Sequence, residues 1–188
     1  GFDVVLPDHP SQEGVDQCGA AFCYPAELAH GFIHTLLESD PQLDFLFLPH
    51  FKAVPLQRDG SSLQSQVCPL VQGETFYLQT AFGKKLGRLS QRGTRLLTPL
   101  LDFSGGIESA EEALVAMACQ MGIGHRAAQE AFAVALQKQI DCFAAMREAG
   151  GKMLAELEAD PEKVGIVLFA RPYNGFAGEA HMGIPHKF

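Results

Sequence analysis

Two cysteines stand in matched surroundings. Cys23 is followed by Tyr24 and Pro25, and Cys68 by Pro69. Proline is favoured in the first turn of a helix, where its missing N–H costs nothing, so each thiol is expected just ahead of a helix N-terminus. The unsatisfied N–H groups and partial positive charge of such a terminus favour the thiolate, the nucleophilic and metal-binding form of a thiol. Each cysteine also follows a strand-like run and a loop. Loops leaving the C-terminal ends of parallel strands emerge along one edge of a sheet, and open α/β sheets bind ligands there. Thiolate ligation of a metal is therefore one expectation for Cys23 and Cys68; the plain alternative is two half-buried small residues near helix starts. Two thiolates do not complete a zinc or iron–sulfur site. A third ligand has to come from Cys18, a histidine, a part of the protein beyond Phe188 or another subunit.

Other candidates are weaker. Cys18 shares the loop that precedes Cys23. Cys119 and Cys142 lie in alanine-rich helical stretches, where core packing is expected. His30 and His34 have the four-residue spacing of a metal pair but lack the intervening glutamate of a zincin helix, so partly buried and surface positions are expected. His50 ends a strand-like run on the proposed ligand edge. Arg171, Tyr173 and Asn174 follow another such run; they suit contact with an anionic or cluster-bound ligand, or simply a proline-anchored turn. No P-loop, complete dinucleotide-binding glycine pattern or nucleophile elbow occurs.

The elements that must position these residues can be read from patterning. Residues 2–7 are β-branched and apolar, and a loop follows over 9–21. A helix is expected from Pro25 to about Ser39, with Leu28, Phe32, Leu36 and Leu37 on one face, ending at Asp40-Pro41. Residues 44–49 form a continuous apolar run of the kind buried in a parallel sheet. A polar loop is expected from His50 to Val67, a helix from Pro69 to about Phe82, and a strand within 94–103 interrupted near Pro99. This β-α-β-α-β order points to parallel pairing with right-handed crossovers. Helices are expected over about 109–121 and 125–158, the second open to bending at Gly150-Gly151. Val164–Phe169 then reads as a further strand. The expected fold class is α/β: a Rossmann-like lobe over 1–105, a helical segment over 106–160, and the start of a second α/β lobe over 161–188.

Bulk properties narrow the function. Of 188 residues, 47% are hydrophobic and 19% charged, which allows a core and argues against disorder. The net charge of −8, with no local basic cluster, argues against nucleic acid as a partner. No apolar run approaches the roughly 20 residues needed to span a bilayer, and no basic-then-apolar leader opens the chain. The odd cysteine count and wide spacings fit a reducing cytoplasm better than a disulfide framework. The chain opens in a strand under way and stops where a helix begins, as expected of a piece of a longer protein.

A set of ordered blocks supports a family resemblance. Val4-Val-Leu-Pro-Asp8 followed by Cys23-Tyr-Pro-Ala-Glu-Leu-Ala-His-Gly31 resembles the CYPAKLAHGH segment of the activase-related domain found in activators of 2-hydroxyacyl-CoA dehydratases. Phe47-Leu-Pro-His50, Cys68-Pro-Leu-Val-Gln-Gly73, Arg171-Pro-Tyr-Asn174 and Met182-Gly-Ile-Pro185 look like further blocks. They span nearly the whole chain, while about 108–160 adds little. The family's lysine is Glu27 here. The resemblance implies that Cys23 and Cys68 are ligands of an iron–sulfur cluster, with His50, Arg171 and Asn174 around it. It also implies low-potential electron transfer in anaerobic metabolism, dehydratase or activator subunits as partners, and a CoA thioester nearby. The ATPase module that larger members carry is not implied here, because its phosphate-binding motifs are missing. The rival expectation is a non-catalytic interaction or regulatory domain of a larger activase, whose sheet edge docks a partner while the cysteines are incidental. A CoA-thioester enzyme without a cluster ranks last, since no acid–base pair can be named.

Overall fold

Two apolar runs with a proline inside each lie side by side at the centre of the first half of the chain. In the computed structural model, which describes residues 1–19, 23–39, 42–54 and 66–187, these are β1 (Phe45–Phe47) with β2 (His50–Ala53), and β3 (Arg95–Leu97) with β4 (Leu100–Asp102). β1 pairs with β3 and β2 with β4, both parallel: Phe45 lies against Arg95, Phe47 against Leu97 and His50 against Leu100. Pro49 and Pro99 fall in the same gap between the paired segments. Neither can donate to a ladder, so each strand is interrupted at the same level. The chain bridges the gap with Leu48 N–H donating to Leu97 C=O and His50 N–H to Pro99 C=O, both at 2.9 Å.

Around this ribbon stand α1 (Gln12–Asp16), α2 (Tyr24–Glu38), α3 (Pro69–Ala81), α4 (Gly83–Gln91) and α5 (Glu111–Gln120). The chain divides into two compact units, 1–122 and 123–188. In the first, Ile33 and Leu36 of α2 pack with Leu46 of β1, Leu78 of α3, and Phe82 at the α3–α4 junction. Leu97 and Leu101 are buried as well, and the 3-10 turn Ile107–Ala110 and α5 pack on β4. The fold is α/β, with a smaller sheet than the sequence suggests.

In the second unit α6 (His125–Ala159) runs 35 residues without a break, straight through Gly150-Gly151, where a bend is expected. The short α7 (Pro172–Gly175) and a 3-10 turn at Ile184–His186 follow.

Several expectations are corrected. Residues 2–7 form no strand: Val4 is 79% and Leu6 75% exposed, although the Phe2 ring meets Phe45 edge-on at 6.1 Å. Val164–Phe169 likewise stays outside any strand, with Phe169 92% exposed. Strand propensity describes how side chains fit a paired, half-buried surface rather than an intrinsic backbone choice, and neither run has a paired neighbour here. The loop expected from His50 begins with β2 instead, because the 95–102 run supplies a pairing partner. The loop expected over 9–21 holds α1, whose N-cap Ser11 accepts the Gly14 N–H at 3.0 Å. Asp40, Pro41 and the loop segment 55–65 lie outside the described residues. Among the described residues no helix is long and apolar enough to cross a membrane.

Candidate functional site

Cys68 is the N-cap residue of α3 and Cys23 that of α2, each with proline in the first turn and each half-buried. Their carbonyls open the helices: Cys23 C=O accepts from Ala26 and Glu27 N–H at 2.9 and 3.1 Å, and Cys68 C=O from Gln72 N–H at 3.0 Å. None of the five cysteines, all among the described residues, is in a disulfide. Cys18 is half-buried just after α1, its N–H bonded to Val15 C=O at 3.1 Å. Cys119 and Cys142 are exposed. That corrects the expectation that they pack in a core: each lies on an exposed face of its helix.

A ladder of contacts fixes the direction of α3. Val67 N–H donates to Lys52 C=O at 3.1 Å, His50 Nδ1 is bonded to Gln72 C=O at 3.3 Å, and Thr75 Oγ1 donates to Leu48 and Pro49 C=O at 3.1 and 2.9 Å. As residue numbers rise along the helix they fall along the strand, so α3 runs antiparallel to β1 and β2. Cys68 therefore stands beside the C-terminal end of β2. The contacts of α2 are with the α3–α4 junction and α4: the His30 and His34 rings lie 6.0 and 6.1 Å from the Phe82 ring, and Glu38 pairs with Lys85 at 2.5 Å.

His50 and Cys68 are linked through one residue that sequence reasoning missed. Gln72 donates its N–H to Cys68 C=O, accepts from His50 Nδ1 at its own carbonyl, and donates Nε2–H to Val67 C=O at 2.8 Å. A carbonyl only accepts, so His50 Nδ1 is the donor in this bond. The ring also lies 4.5 Å from Phe76. His50 opens β2 rather than closing a strand. The one available signal for Gln72 was its place one turn after Cys68.

Arg171, Tyr173 and Asn174 belong to the second unit. Arg171 Nη1 donates to Tyr173 Oη at 2.8 Å, and Asn174 N–H to Arg171 C=O at 3.0 Å, closing the first turn of α7.

His30 and His34 are buried at 4% and 3% exposure, which corrects the expectation of partly exposed rings. Both lie on the inner face of α2, between α1 and Phe82. His30 Nδ1 donates to Ala26 C=O at 2.8 Å. Ser11 Oγ is bonded to His34 Nδ1 at 2.7 Å, and Glu13 Oε1 lies 3.7 Å from His34 Nε2, beyond hydrogen-bond reach. His34 Nε2 is thus buried without a hydrogen-bond partner. A groove of about 740 Å³ lined by Gln42, Asp44, Leu89, Arg92 and Thr94 sits at the other end of the strands and contains none of the candidate residues.

Two carboxyls are perturbed in opposite directions. Hydrogen bonds from Lys52, at 2.7 Å, and from Ser104 hold Asp102 far below the usual carboxylate range. Burial pushes the Glu74 carboxyl on α3 above its ordinary value. A raised folded-state value favours the protonated form, so this group's contribution falls as pH climbs from the ordinary carboxylate range through the raised value. Glu74→Gln is expected to raise the urea midpoint of unfolding at neutral pH and to match the parent chain below about pH 4. A variant no more stable than the parent at neutral pH would contradict the desolvation argument.

The donor set fits a thiolate-bound centre only in part. Two cysteines cap helices, Cys68 beside the C-terminal end of β2, and His50 is joined to Cys68 through Gln72. Among the described residues, however, no group of three or more His, Cys, Asp or Glu side chains is gathered closely enough to hold a metal ion. These residues alone do not complete a cluster site.

The family model described as CoA enzyme activase uncharacterised domain matches residues 1–188. No curated relative and no solved structure matches the chain.

Proposed function

The chain belongs to the CoA enzyme activase uncharacterised domain family, and from that premise we propose that it serves an activator as the part that holds an iron–sulfur cluster. Cys23 and Cys68 would be two of the ligands, and the remaining ones would come from outside the described residues. A cluster bound there would supply one-electron transfer at low potential. The observation that carries the reading is the pair of cysteine N-caps, each followed by a proline in the first turn of its helix. His50 and Gln72 fix the backbone around Cys68, the kind of outer support that orients a ligand. Arg171, Tyr173 and Asn174 would contact a CoA thioester or a dehydratase subunit, as the family resemblance implies.

The experiment is anaerobic reconstitution of the chain with iron and sulfide, in the presence of the rest of the activator. Cys23→Ser and Cys68→Ser are each expected to bring bound iron and acid-labile sulfide down to background. Unchanged iron and sulfide in both variants would sink the cluster reading. The missing third donor favours a second reading, a docking or regulatory domain that contacts the enzyme partner without metal. Binding of a dehydratase subunit by iron-free chain, undiminished in both serine variants, would support it.

A further inference from the structure

Long helices in water-soluble folds draw most of their stability from packing an apolar face. α6 departs from this: its 35 residues, about 50 Å of helix, include a single buried residue, Ala128. An apolar stripe nevertheless runs its length. Phe132, Leu136, Phe143, Met146, Met153 and Leu157 recur at alternating three- and four-residue steps or their multiples, the seam of a coiled coil. Met146 and Met153 are 66% and 65% exposed. Along one flank, every seventh residue is small: Ala128, Ala135, Cys142 and Ala149. Small flanking residues let two helices approach closely.

We infer that α6 packs antiparallel against α6 of a second copy of this chain, crossing at Asp141, one residue before Cys142. The reading does not depend on the proposed cluster. Two features select a second copy in that orientation. The first is size. Gly150 lies on the stripe in mid-helix, where glycine costs about 1 kcal/mol relative to alanine, and a Cβ added there would meet nothing within 4 Å. Nothing in its own chain requires it. Antiparallel pairing about Asp141 sets Gly150 opposite Phe132 of the second copy, Leu136 opposite Met146, and Gln139 opposite Phe143. The large ring enters the space that the glycine leaves.

The second feature is charge. Basic Arg126 stands in the first turn, and Glu156 and Glu158 in the last, the reverse of what the helix's own dipole favours. Antiparallel pairing about Asp141 sets Arg126, which also pairs with Glu130 of its own helix at 3.0 Å, opposite Glu156 of the second copy, and Glu130 opposite Lys152. Parallel pairing would set like ends together and face Gly150 with Gly150.

The test is sedimentation equilibrium of the chain, followed by cross-linking of a variant that keeps only Cys142, with serine at 18, 23, 68 and 119. A reversible dimer is expected, and mild oxidation should convert the Cys142-only variant to a disulfide-linked dimer, because the two copies meet there. A variant keeping only Cys119 should stay uncross-linked. Gly150→Leu should weaken dimerisation by about tenfold or more through overpacking against Phe132. It should leave helicity by circular dichroism unchanged or higher, which separates lost pairing from lost folding. A monomer at every concentration, or equal cross-linking through Cys119 and Cys142, would overturn the inference and leave the stripe to some other helix.

Discussion

Phe82→Ala is expected to lower the unfolding free energy of the first unit by about 3–5 kcal/mol, the range for truncating a fully buried aromatic ring. Phe82 is 1% exposed and is the largest side chain buried to that degree among the described residues. It sits where α3 passes into α4 and touches the core formed by Ile33, Leu36, Leu46 and Leu78. Its ring also backs onto the His30 and His34 rings. Removing it leaves a void lined partly by imidazoles, which cannot collapse as freely as methyl groups can. The same ring keeps α2 alongside the end of α3, so its loss should loosen the packing of the two helices that Cys23 and Cys68 cap. Urea denaturation followed by circular dichroism checks the energy. Hydrogen exchange should show α2 and α3 losing protection together. A loss below about 1 kcal/mol would mean that the site repacks, and that the ring is not what couples the helices.

Gly14→Ala should cost about 1–3 kcal/mol, although alanine in mid-helix is intrinsically better than glycine by about 1 kcal/mol. The sign is decided by space. A Cβ at Gly14 would overlap His34 Cβ, lie 2.6 Å from the His30 carbonyl oxygen and 2.9 Å from Gly31 Cα. Two of those three atoms are backbone of α2 and cannot swing aside. Gly31 is the other half of the crossing, since a Cβ there would lie 2.7 Å from Pro10 Cβ and 3.0 Å from the Ser11 carbonyl oxygen. The paired glycines let α1 press against α2 closely enough for Ser11 to reach His34. In the variant, α1 should lift away, and its amides together with the Gly14–Ser11 cap should exchange faster with solvent. A variant as stable as the parent, or more so, would show that α1 is held loosely and that helix propensity prevails.

The local signals were legible. Proline after each cysteine marked the starts of α2 and α3 to within a residue or so, because a missing N–H and a fixed φ act on the residue itself. The break near Pro99 was read for the same reason. Helical spacing likewise located α5 and α6. The apolar runs were legible as apolar but not as strands: 45–47 and 95–97 became a ladder, while 2–7 and 164–169 did not. The burial of His30 and His34 was half visible. They share the α2 face that carries Ile33 and Leu37, but only the close approach of α1 through Gly14 and Gly31 seals it.

By itself, then, the sequence determined where α2, α3, α5 and α6 lie, which cysteines cap the first two, and the family to which the chain belongs. Each of these depends on residues near one another along the chain, or on the order of motifs within it. Only the tertiary structure decided which apolar runs pair, that His50 and Cys68 are joined through Gln72, and that two histidines lie in the core while Cys119 and Cys142 face solvent. Those outcomes depend on a second segment arriving from far along the chain. A strand's hydrogen bonds are made with a neighbour, whereas a helix makes its own, and burial exists only once something packs on top.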